Sequence, residues 1–283
     1  MRRCWLCLSL SWVLATAAAD EVVWVGTDYP PMAMSQGEFA HQGYIDAMFA
    51  FLQKALPQHR FREEIVPWAR AMHMAQGGGG YCLISAFQTP ERSQFLRFSE
   101  AYGYLLPIGV VIRAQDQARF TPYLNASGML RLAPLLANGA LRVGLADSRS
   151  YGPQIDAVLA EPLQRGAAHL HKVYQGESTR SLFNMLGHRR IDYLFSYPSE
   201  VVYYAQAYRD LRFYPIEGNS QLLEGRLSCT KSAATDRVFA DIRALVPSPA
   251  SWAAFQPAYE RWLPPYLIEP YRQQLAGLPG VSR

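Results

Sequence analysis

Beyond its first nineteen residues the chain contains no apolar run of about 18 residues, so no membrane-spanning helix is expected there. It also lacks a strong charge. With 27 Lys and Arg against 23 Asp and Glu the net charge is +4, and no basic run is interleaved with aromatics, which argues against a nucleic-acid partner. Cysteine is scarce at four residues, and neither Cys82 nor Cys229 has a CxxC or nearby histidine partner. His169 and His171 have no evident third ligand, so no metal is expected. The acids are scattered, which leaves no paired-carboxylate motif for acid–base catalysis. Gly77 to Gly80 is not a phosphate loop, because a strand follows it and no Lys-Ser/Thr pair closes it; it reads as a helix terminator. No cofactor is implied. Half of the chain is hydrophobic, which excludes disorder as its default state.

What is present begins with an export signal over residues 1–19. Arg2 and Arg3 give a basic start, Trp5 to Leu14 an apolar run, and Ala17-Ala18-Ala19 a small-residue cleavage site before Asp20. Processing leaves 264 of the 283 residues and lowers the net charge to +2, since two arginines leave with the signal. The expectation is a periplasmic protein that meets the membrane only through a partner. In an oxidising compartment Cys82 and Cys229 form either a bridge or two buried thiols. A bridge would close a long loop and add roughly 3–5 kcal/mol in the chain-entropy model.

Along the chain, Glu21–Thr27 alternates like a strand and ends in the rigid loop Asp28-Tyr29-Pro30-Pro31. Tyr44–Leu56 is an amphipathic helix, with Ile45, Met48, Phe49, Leu52 and Leu56 on one face. Phe61–Val66 is a second strand, Pro67 opens a helix that Gly77 stops, and Tyr81–Ser85 is a third strand. This β-α-β-α-β order implies a parallel sheet covered by helices. Leu105–Ile112 reads as a further strand, followed by a polar stretch near Thr121 to Ser127 that suggests a domain crossing.

The pattern then repeats. Ala140–Leu145, Leu170–Tyr174 and Ile191–Ser196 read as strands, with helices over Gln154–Leu163 and Ser178–Leu186 and Ser150 as a helix N-cap. Arg226–Thr230 returns to the first unit, and an aromatic-rich helical tail follows. The expected fold is α/β and two-lobed, with a hinge, two crossing strands and a central cleft. Residues 20–112 plus 226–283 form lobe 1, and residues 113–225 form lobe 2.

The most informative stretch is Thr89-Pro90-Glu91-Arg92. It delivers an arginine just beyond a strand end, where ligands settle in open α/β sheets. A guanidinium there presents a fork suited to a carboxylate. Ser85 and Thr89 are placed to offer hydroxyls, with capping of the next turn as an equal role. Trp68 and Arg70 lie on the first turns of a helix facing the same strand ends.

Taken in order, these segments resemble the family 3 periplasmic solute-binding proteins, the polar-amino-acid-type components of ABC importers. The resemblance spans most of the mature chain. It rests on Tyr29-Pro30-Pro31-Met32, Gly43-Tyr44-Ile45-Asp46-Ala47-Met48, Pro67-Trp68-Ala69-Arg70, Thr89-Pro90-Glu91-Arg92 with Phe98-Ser99 and Tyr102, and Arg189-Arg190-Ile191-Asp192-Tyr193. It implies a type II periplasmic-binding-protein fold and a monomer that captures a small carboxylate-bearing solute without catalysis, for an ABC permease or a membrane sensor. It further implies that Arg92 clamps the carboxylate, that Tyr29 stacks on the solute, and that Ser148 to Tyr151, including Ser150, supply backbone donors. It also makes Cys82 and Cys229 neighbours, because the return strand lies beside the third.

Two positions depart from the family pattern. Phe87 stands where a Ser or Thr bonds the ligand, and Tyr197 where an acid pairs with the ligand ammonium. Both are expected in the cleft, which makes this an atypical, more aromatic branch. Glu200 is the candidate to supply the missing negative charge. The rival readings are a periplasmic enzyme on the same fold, similar to cyclohexadienyl dehydratases, and a sensor without transport.

Overall fold

Valine-rich alternation over Glu21–Gly26 forms β1, and the amphipathic run Tyr44–Ala55 forms α1 with Tyr44, Ile45, Met48 and Leu52 buried. The computed structural model describes residues 21–278, apart from 85, 148, 175–177 and 209. The export segment, Ser85 and Ser148 therefore lie outside the described residues. The chain continues through β2 (Arg60–Ile65), α2 (Trp68–Gln76), β3 (Tyr81–Leu83), β4 (Leu96–Leu105) and β5 (Gly109–Arg113). Next come α3 (Gln117–Phe120), α4 (Leu132–Ala137), β6 (Val143–Ala146), α5 (Pro153–Gln164), β7 (Leu170–Val173), α6 (Ser178–Gly187) and β8 (Tyr193–Ser196). The last part is α7 (Pro198–Ala205), β9 (Leu211–Tyr214), β10 (Leu223–Thr230), α8 (Ala233–Leu245), α9 (Pro249–Glu260) and α10 (Pro265–Ala276).

Among the described residues these strands build two five-stranded sheets, ordered β2-β1-β3-β10-β4 and β7-β6-β8-β5-β9. In the first, β1 runs parallel to β2 and β3, and β10 returns antiparallel between β3 and β4. The second repeats the plan, with β6 parallel to β7 and β8, and β5 antiparallel to β8 and β9. This is the two-lobed α/β architecture expected from the repeated β-α pattern.

The crossings differ from the expected boundaries. Leu105–Ile112 is not one strand. Pro107 cannot donate to a ladder, so the apolar run splits there: β4 ends at Leu105 in the first sheet, and β5 begins at Gly109 in the second. The first crossing is thus the short span between them rather than the polar stretch near Thr121 to Ser127, which lies well inside the second lobe. The return is also earlier than 226, because the β4–β10 ladder extends to the pair Leu105–Leu223. The side-chain amide of Asn219, on the second crossing, donates to Ile108 O on the first at 2.8 Å, which ties the two together.

The C-terminal tail is two helices that pack under the first lobe. Tyr44 meets Phe255 and Tyr259 edge-on at 5.9 and 5.1 Å, and Tyr102 meets Phe255 at 5.2 Å. Gly103 is required at this contact, since a Cβ there would stand 2.1 Å from the Phe255 ring. The tail also touches the second lobe, where Tyr266 Oη accepts the Phe213 N–H at 3.0 Å. Cys82 and Cys229 are disulfide-bonded and face each other across β3 and β10.

Candidate functional site

The C-terminal ends of the parallel strands in both lobes point into one cleft, and their loops carry the site residues. A cavity of about 670 Å³ lies there, lined by Phe87, Thr89 and Arg92 from the first lobe and by Ser150, Tyr151 and Tyr197 from the second. Pro107, Ile108, Asn219 and Arg226 close it on the hinge side. Its volume is in the range of small-molecule pockets.

Arg92 is half-buried on the turn after β3. The Thr89 hydroxyl accepts its backbone N–H at 3.2 Å, and its own Nη1 donates to Phe87 O at 2.8 Å. Its guanidinium lies 5.2 Å from the Trp68 ring centroid. Trp68 is thus a shelf that holds the fork from behind, rather than a wall of the cavity. Burial lowers the Arg92 pKa, with Glu91 acting the other way, and leaves it cationic at ordinary pH. Phe87, at 36 % exposure, spends its carbonyl on Arg92 and presents its ring to the cleft. Arg226, on the return strand, is a second lining cation; its fork grips Glu224, and its Nη1 donates to Ser99 O at 2.6 Å.

In the second lobe the loop before α5 is held by Asp156. This carboxylate accepts the Tyr151 N–H at 2.9 Å and the Ser150 hydroxyl. Ser150 is therefore not the helix N-cap; that position is Gly152, followed by Pro153. Tyr151 is buried, and its hydroxyl accepts the Ala146 N–H at 2.7 Å. Tyr197 precedes α7 and lines the cavity, and burial pushes its phenol up to about 12.

Tyr29 crosses the gap, with its hydroxyl 3.4 Å from the Thr179 hydroxyl on α6. Burial, and then the Glu200 carboxylate, raise its pKa. Glu200 is 1 % exposed; Oε2 accepts the Tyr197 N–H at 2.8 Å and the Ser196 hydroxyl, while Oε1 has no partner among the described residues.

Arg149 was missed by sequence reasoning. It sits within the Ser148 to Tyr151 loop, which was read for its backbone donors alone. The available signal was positional: it lies just past the C-terminal end of β6. Burial works against its charge, but Tyr29, Glu200, Tyr151 and Tyr197 outweigh that and raise its pKa. Arg226 was missed because it reads as an ordinary strand residue until the sheet places it at the cleft.

No protein-family model matches the chain, and no curated protein does either. Solved structures do share its fold. The probable amino-acid ABC transporter extracellular-binding protein ytmK from Bacillus subtilis is 16 % identical, with a TM-score of 0.62 over 87 % of this chain and 99 % of that one. An ancestral arginine-binding protein bound to arginine is 14 % identical, with a TM-score of 0.61 over 87 % and 99 %. The ancestral amino acid-binding protein AncCDT-1, a precursor of cyclohexadienyl dehydratase, is 14 % identical, with a TM-score of 0.57 over 87 % and 96 %. At these identities what is shared is the fold: this chain has the two-lobed architecture of amino-acid ABC transporter substrate-binding proteins.

Proposed function

We propose that this chain is a periplasmic solute-binding protein that encloses a small carboxylate-bearing solute between its lobes and presents it to an ABC importer. The observation that carries the reading is the interlobe cavity with the Arg92 guanidinium on its wall. One edge of that fork is spent on Phe87 O, which fixes its orientation and leaves other N–H groups for a guest. Each charge-assisted bond is worth about 1.5–3 kcal/mol net, and micromolar affinity corresponds to about −8 kcal/mol. Two or three such bonds plus stacking on Phe87, Tyr151 or Tyr197 are sufficient. Because the lining comes from both lobes, a guest in contact with both favours the closed arrangement.

A thermal-shift screen of amino acids, small carboxylates and aromatic metabolites tests this. At least one carboxylate should raise the melting temperature saturably. Arg92→Ala should abolish that rise while costing no more than about 1 kcal/mol of intrinsic stability, because the side chain is half-exposed. An unchanged ligand-dependent shift in the variant would reject the clamp.

A second reading, an enzyme on this fold, is favoured by one observation: the buried Glu200 carboxylate beside the Tyr29 hydroxyl, whose pKa it raises. Acid–base catalysis needs such a group within reach of the substrate. Glu200 does not border the cavity, which favours binding. Turnover of prephenate- or arogenate-like compounds, lost in Glu200→Gln, would establish the enzyme instead.

A further inference from the structure

Three aromatic faces converge on Arg149. Its guanidinium carbon lies 5.9 Å from the Tyr29 ring centroid, 5.3 Å from Tyr151 and 5.9 Å from Tyr197. Tyr29 belongs to the first lobe and the other two to the second, so the cage is complete only when the lobes are together. Arg149 Nη1 donates to the Thr179 hydroxyl at 3.2 Å, and the same hydroxyl is the partner of Tyr29. Beside the cage stands Glu200, almost fully buried and with one carboxylate oxygen unpartnered among the described residues. Aromatic faces around a partly buried position next to a buried carboxylate form a receptor for an organic cation. In this chain the cation is supplied from within.

The adjoining chamber has the opposite character. Tyr151 and Tyr197 line it, but Arg149 does not. The cations among its described lining residues are Arg92 and Arg226, and the one carboxylate is Glu224, which the Arg226 fork already holds. A solute ammonium would find no free acid in the chamber, and Glu200 lies behind the tyrosines that enclose Arg149.

We propose that Arg149 is a built-in occupant of a cation site shared by the two lobes, so that the neighbouring chamber selects organic anions lacking an ammonium group. The selectivity rests on the solute-binding reading above; the cation site does not.

The test uses the full mature chain with methylguanidinium chloride as probe and sodium chloride as the ionic control. Arg149→Ala should gain a saturable rise of about 3–5 °C in melting temperature at tenfold excess over the dissociation constant. Wild type should show none, and adding Glu200→Gln to the variant should remove the gain. No rise in Arg149→Ala, or an equal rise in wild type, overturns the occupied site. Should Arg149→Ala not fold, Arg149→Gln carries the same titration; if neither folds, Arg149 is a structural core residue and the proposal fails. For selectivity, wild type is titrated with matched pairs such as phenyllactate and phenylalanine, or succinate and aspartate. Binding of the acid at least tenfold tighter than its amino counterpart is expected. Equal or preferred binding of the amino partner overturns the selectivity. Silence towards every acid defeats the solute-binding reading and the selectivity with it, while the methylguanidinium result still decides the cation site.

Discussion

At the scale of single residues, charge placement governs what this molecule does. Arg92 and Arg226 line one cavity, and Arg149 lies behind two of its tyrosines, on a chain whose overall charge is nearly balanced, so composition says nothing about the local field. A second arginine group is structural. Asp192, only 3 % exposed, is approached by Arg113, Arg119 and Arg142 at 3.4, 2.9 and 3.2 Å. Burial alone would raise its pKa, but the Arg142 backbone N–H and the Arg142 and Arg119 side chains more than offset this and hold the carboxyl at about 2 against an ordinary 3.8. A depressed folded-state value means the stabilisation is complete above the ordinary carboxyl range and is lost as pH falls from there towards about 2. Asp192→Asn should therefore cost about 2 kcal/mol near neutrality by removing the charged acceptor shared by the Arg142 backbone N–H and the Arg142 and Arg119 side chains, while Arg113 keeps its pair with Asp116. It should also flatten the acid limb of the stability profile, as chemical denaturation across pH would read.

At the scale of elements, the decisive pieces are the strand ends and the one covalent staple. The 147-residue separation of Cys82 and Cys229 encloses the whole second lobe. In the chain-entropy model such a loop is worth about 5 kcal/mol, and strain or residual structure in the unfolded chain reduces it. Replacing both cysteines by alanine should lower unfolding stability by about 3–5 kcal/mol in urea titrations, with little change in the native circular dichroism spectrum. The strands β1, β3, β6 and β8 were legible because runs such as Ile191–Ser196 are bounded by turn residues. By contrast α7, β9 and the split at Pro107 were not. Pro198 hides a helix start behind a proline, Leu211–Tyr214 carries an arginine in a four-residue strand, and Leu105–Ile112 reads as continuous until the partner sheets are known.

At the scale of the whole molecule, the lobes are already in contact. Besides Tyr29 and Thr179, an aromatic cluster joins them: Phe39 lies 6.4 Å from Tyr203 and 5.5 Å from Trp262, and Tyr203 lies 5.9 Å from Trp262. Tyr203 is the contribution of the second lobe. Each such pair is worth about 0.5–1.5 kcal/mol beyond the area it buries, so Tyr203→Ala should move the closed-to-open ratio about tenfold or more towards open. Small-angle scattering should show a larger radius of gyration for the variant, with wild type near roughly 18 Å as expected for a compact chain of this length. Identical scattering curves would mean that the aromatic cluster does not hold the lobes.

The sequence by itself determined the α/β class, the repetition of the β-α unit, and the arrival of Arg92 and Tyr197 at strand ends, because those follow from local periodicity and turn chemistry. It determined the pairing of Cys82 with Cys229 only through the resemblance to a known family. Tertiary structure alone decided that Trp68 supports Arg92 from behind, that Arg226 faces the cavity, and that Arg149 lies between rings from both lobes. Such relations join residues distant in the chain, and no spacing within one segment encodes which side chain from another lobe will meet it across a cleft.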